Sequence, residues 1–114
     1  MFVVALAFAN TCAAKDIWIE RWTAEGVDIY VMDDTITNDT SENYFSVSTK
    51  MVANGQLQQV VVWKFSKFRS SMWRYETSTM DGSHTTVVIP RNMVFEFCMN
   101  KLGWSYKTDG HYYH

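Results

Sequence analysis

Four bases and several large rings fall close together in the middle of the chain. Lys64, Lys67, Arg69 and Arg74 are interleaved with Trp63, Phe68 and Trp73, and Tyr75 follows directly. Cations beside aromatic rings can hold an anionic partner through guanidinium hydrogen bonds and stacking over a ring face. The same lysines can instead guard an exposed strand against pairing with foreign sheets.

Other residue types capable of chemistry are scattered. Asp33-Asp34, with Asp28 or Asp39, brings carboxylates together, but a calcium loop needs oxygens at nearly every second position and a late glutamate. A strand end or a turn contact accounts for them more simply. His111 and His114 bracket Tyr112-Tyr113 at a spacing suited to a metal only on a helix, and the tail carries no helical pattern. His84 follows Asp81-Gly82-Ser83 and reads as a turn residue. None of Ser66, Ser70, Ser71, Ser78 and Ser83 sits in a Gly-x-Ser-x-Gly elbow. The five glycines are single, so no phosphate cradle is present. The expectation is a non-enzyme without a cofactor.

The elements that would position these residues are mostly strands. Ile17 to Thr23 alternates, placing Ile17 and Ile19 opposite Trp18 and Trp22, and Glu25-Gly26 breaks it. A second strand runs from Val27 to about Ile36, followed by the polar loop Thr37 to Asn43. Phe45, Val47 and Met51 then alternate with Ser46, Ser48 and Lys50. Asn54-Gly55 is the strongest short hairpin signal, because a type I′ turn needs positive φ at both central residues. Leu57 to Phe68 returns, Ser71 to Thr79 follows with Trp73 and Tyr75 on one face, and Asp81-Gly82 leads into Thr85 to Ile89. Six strands joined by short turns predict an antiparallel meander.

After Pro90 the period changes. Val94, Phe95, Cys98 and Leu102 form one apolar face, and Asn92, Glu96 and Asn100 form a polar stripe. Pro90 suits a helix start and Gly103 its end. The fold class expected is therefore α+β: a six-stranded antiparallel meander with one C-terminal helix covering one face. Residues 105–114 are expected to fray.

Residues 1–14 form an uncharged apolar lead ending in small residues, and the first charge is Lys15. Such a run resembles a signal peptide without its positive start and is shorter than the roughly 20 apolar residues of a membrane span. Export is the expectation, with residues 15–114 as the mature domain at the cell surface, in the periplasm or outside the cell. Cys12 lies inside the lead, where it would be cleaved off or, less simply, lipidated; Cys98 then stands alone and is expected to be a small buried side chain. Residues 15–42 carry eight acids against Lys15 and Arg21, whereas residues 43–114 carry eight bases against four acids. Neighbouring acidic and basic strands would neutralise each other; a one-sided basic surface is the sharper possibility. The chain's overall charge of −2 argues against nucleic acid.

The Trp-bearing first strand (Trp18, Trp22), the second strand from Val27 to Ile36 and the stretch from Ile89-Pro90 through Glu96 to Cys98 resemble the surface-adhesin protein E family of small secreted bacterial proteins. The resemblance implies a six-stranded sheet packed against a C-terminal helix, often dimeric, with host proteins bound by some members. It also implies a disulfide from helix to sheet, for which the mature chain lacks a second cysteine. No adhesive residue carries over.

The function expected is an exported binding protein of the bacterial envelope or surface. Its partner would be an envelope or host extracellular protein, and its binding residues Lys64, Lys67, Arg69, Arg74, Trp63, Trp73 and Tyr75. One alternative is a small-ligand carrier, in which a curled sheet holds a pocket under the helix lined by Trp63, Trp73 and Tyr75. The other is a self-associating surface component or homodimer that pairs through a sheet edge.

Overall fold

The structure is a computed structural model that describes residues 15–68, 72–80, 82, 84–108 and 110–114; the lead segment with Cys12, and Arg69, lie outside the described residues. The strands are β1 (Asp16–Trp22), β2 (Val27–Asn38), β3 (Tyr44–Ala53), β4 (Gln56–Phe68), β5 (Met72–Thr77) and β6 (Thr86–Val87). They form one antiparallel sheet in chain order, followed by the helix α1 (Met93–Leu102). This is the α+β meander that the alternation and turn residues predict.

Each element follows from its residues. Asn54 and Gly55 take φ of 53° and 76°, the left-handed pair that joins β3 to β4 tightly. Asp39 shapes the β2–β3 loop: its carboxylate accepts from the Ser41 hydroxyl and from the backbone N–H of Asn43 and Tyr44. The Ser41 hydrogen bond, ahead of those from the backbone, holds this carboxyl below its ordinary pKa. Asn92 caps α1, its side chain accepting from the Phe95 N–H at 2.9 Å, and Gly103 closes the helix at φ 74°.

One face of the sheet carries the core. Ile29, Val31, Phe45, Val47, Phe65 and Trp73 are buried there, and α1 lays Val94, Phe95, Cys98 and Met99 on them, with Leu102 half-buried at the margin. Phe45 stacks on Phe65 at 4.8 Å between centroids, and Phe95 meets Trp73 edge-on at 5.4 Å. Such ring pairs each add about 0.5–1.5 kcal/mol beyond their area. Cys98 is buried and forms no disulfide among the described residues.

Several expectations are corrected. Trp22 does not share a face with Trp18: a bulge between Trp18 and Glu20 shifts the register, so Trp18 pairs with Tyr30 on the outer face and Trp22 turns to the core side. Strand β2 runs on to Asn38, absorbing its irregularity between Met32 and Thr37. Only Thr86–Val87 pairs as β6, because beyond it Val88 alone bonds back to the Trp73 carbonyl and Ile89 is exposed. The helix starts at Met93, two residues after Arg91, and Glu96 is buried rather than part of a wet stripe. Its carboxylate accepts from Arg91 and from the Tyr113 hydroxyl.

The described residues of the tail are tied down rather than frayed. Thr108 bridges to Tyr113, and Lys107 and His114 exchange both backbone hydrogen bonds. The Tyr113 carbonyl accepts from the Trp73 N–H at 3.0 Å, and its ring packs on Phe95 at 4.4 Å. Trp104 and Tyr106 pack against the same cluster.

Candidate functional site: the open half of the concave sheet face

The helix and tail cover only part of the core-side face. The helix also comes close to β1, and with the tail it covers the start of β3, the end of β4 and the start of β5, where Phe45, Phe65 and Trp73 lie. Beyond them the sheet curls around an open concavity of about 440 Å³. Ile29, Met51 and Val61, from β2, β3 and β4, line it with apolar surface. Trp22 stands on one side, and Trp63, Tyr75 and Met80 on the other. Thr49, Gln59, Thr77 and Thr79 complete the lining.

Strand alternation explains how residues so far apart in sequence meet. Val61, Trp63 and Phe65 are every second residue of β4 and project to one face, and the register sets Trp63 beside Val47 and Thr77 and Phe65 beside Tyr75. The aromatic walls are fixed before any ligand arrives. Thr49 is buried, accepts from the Trp63 indole N–H at 3.0 Å and donates to the Val61 carbonyl at 3.1 Å. Trp63 also stacks on Phe65 at 5.8 Å, 7° from parallel, and lies 5.4 Å from Tyr75. The Trp22 indole N–H is held by Glu20 at 3.0 Å. The polar side chains facing the concavity are neutral, with the Thr77 and Thr79 hydroxyls 2.8 Å apart and Gln59 at the solvent-facing rim.

The residues singled out from the sequence do not gather in one place. Trp63 and Tyr75 line the concavity, whereas Trp73 lies under the helix, against Phe95. The concavity therefore opens beside α1 and not beneath it. Lys64 and Arg74 lie on the outer face, where Lys64 stands opposite Glu76, and Arg74 donates to the Thr85 hydroxyl and carbonyl. Lys67 shares the core side and lies 5.9 Å from the Trp73 ring centroid. The period of two separates Lys64 and Arg74 from the aromatic residues next to them.

The acidic first strands do find basic neighbours on the outer face. Lys50 of β3 reaches Asp16 at 2.7 Å, and Arg21 pairs with Asp28 at 2.9 Å, while the Trp18 indole donates to the same Asp28. Asp33 accepts from the Lys15 N–H, and no cluster of metal-ligating side chains occurs among the described residues. The sequence offers little signal for Thr49, Met51, Gln59 or Met80 as lining, because the first three are set in place by strand register and Met80 by the turn after β5. No described helix is long and apolar enough to cross a membrane. Searches with family models, against curated proteins and against solved structures returned no match to this chain.

Proposed function

We propose that this chain is an exported, non-catalytic binding protein of the bacterial envelope or surface, and that it binds through the open half of its concave sheet face. The observation that carries the reading is the neutral, aromatic-walled concavity of about 440 Å³ left uncovered by the helix and tail. Sites for small molecules have this volume range and this mix of apolar lining with a few polar groups. Its lining supplies contact surface and neutral hydrogen-bonding groups, which suits holding a ligand more than transforming it. Between the readings the sequence allows, the carrier is favoured over a basic-aromatic patch, since Lys64 and Arg74 stand on the opposite face from Trp63 and Tyr75. The apolar lead supports export.

A self-associating surface component is the second reading, favoured by Trp18, Leu57 and Val60, which are 52%, 55% and 45% exposed. Native mass spectrometry of the full chain expressed in a Gram-negative host, with periplasm and cytoplasm separated, tests the first reading. The expected spectrum shows a chain beginning near Lys15 and a bound small molecule that is absent from a Met80→Trp variant. A cytoplasmic, unprocessed chain would remove the export half of the reading. A processed chain carrying no bound mass, and forming discrete dimers, would replace the carrier with the second reading.

A further inference from the structure

Resting on the concavity as the binding site, we infer that its occupant is a neutral, mainly apolar small molecule bearing one or two hydrogen-bonding groups. No described residue lining the concavity is charged, and the nearby charges, Glu20 at its border among them, are engaged with partners outside the open space. Glu20 holds the Trp22 indole, Lys50 and Asp16 pair on the outer face, and Lys64 faces Glu76 across β4 and β5. A charged ligand entering the concavity would shed hydration and meet no opposite charge among the lining residues, which costs far more than an apolar group does.

An extended peptide is also disfavoured. The concavity is a sheet face, whose backbone groups are already used between β2, β3 and β4, so a visiting strand gains no main-chain hydrogen bonds there. What the face offers instead is ring surface from Trp63 and Tyr75 and two flexible thioethers, Met51 and Met80, that can adjust to a ligand's shape. Gln59 and the Thr77–Thr79 hydroxyl pair give such a molecule a place to anchor a hydroxyl, carbonyl or amide.

Two fluorescent probes with nearly the same ring system separate the possibilities: neutral N-phenyl-1-naphthylamine and 8-anilinonaphthalene-1-sulfonate, which adds one negative charge. Titrated into the full chain, the neutral probe is expected to bind one-to-one and about tenfold or more tightly than the sulfonate. Gln59→Lys is expected to narrow that gap by strengthening the sulfonate alone. Met80→Trp, filling the space, is expected to weaken both probes about tenfold; should it fail to fold, Thr79→Trp at the exposed rim serves the same purpose. Equal affinities for the two probes would overturn the neutral-ligand inference and leave the concavity as the site. Binding that survives both tryptophan variants but disappears in the outer-face variant Leu57→Ser would overturn the site itself. Absence of binding by either probe would overturn the small-molecule inference and leave a partner's side chains as the occupant. Binding that falls with protein concentration, in step with dimer formation by light scattering, would give the concavity to a second copy.

Discussion

Tyr113 shows how much one side chain can hold. Its hydroxyl donates to the buried Glu96 carboxylate and accepts the Asn92 N–H at 2.8 Å, while its ring covers Phe95. Burial, and then the Glu96 hydrogen bond, push this phenol far above its ordinary pKa. Tyr113→Phe keeps the ring but leaves the Glu96 carboxylate with Arg91 alone of these two donors and takes the acceptor from the Asn92 N–H, so a loss of about 1–3 kcal/mol is expected in urea unfolding. Cys98 makes a second test. Burial lifts its thiol from 9.0 to about 12, so the folded chain keeps the proton while the unfolded chain releases it. The stability this group contributes is complete below pH 9 and is lost as pH rises toward 12, by up to about 1.4 kcal/mol per pH unit. Cys98→Ala should flatten the early part of that fall, read as urea midpoints from pH 7 to 11. The burial of Cys98 was legible from its place among Val94, Phe95 and Leu102. The role of Tyr113 was not, because Tyr112 beside it offers the same chemistry and only tertiary contact distinguishes the two.

At the level of elements, period and turn chemistry agreed with the tertiary structure wherever one face was buried. Strands β3 and β4 alternate from Tyr44 to Met51 and from Gln59 to Ser66 because one side meets the core and the other meets water, and a shift between Met51 and Val52 interrupts the pattern only next to the Asn54-Gly55 turn. The reading failed where an extra residue enters a strand: the bulge after Trp18 turns Trp22 to the core side, and no local signal in Ile17 to Thr23 announces it. It also failed at Glu96, where helical spacing suggested solvent and Tyr113 supplied a partner instead. The helix cap is open to direct test. Asn92→Ala removes the acceptor for the Phe95 N–H and should cost about 1 kcal/mol in the same unfolding assay. Asn92→Asp or Asn92→Ser should recover most of it.

For the whole molecule, the sheet has one part covered by the helix and tail and one part left open as the concavity. That division was invisible in the sequence, since the concavity draws its lining from five strands and the turn after β5. Trp63 and Tyr75 were recognised as candidates for their ring chemistry, but nothing linear linked them to Trp22. The tail's position has a further consequence for biosynthesis. Phe95 and Trp73 are sealed only once residue 113 folds back, so a nascent chain that has emerged just to Trp104 carries the strands without their clasp. Released chains truncated after Trp104 are expected to be cut rapidly by protease, and the full chain to resist. A fold whose central rings are closed over by a segment this far along the chain couples the packing of its sheet to the arrival of that segment.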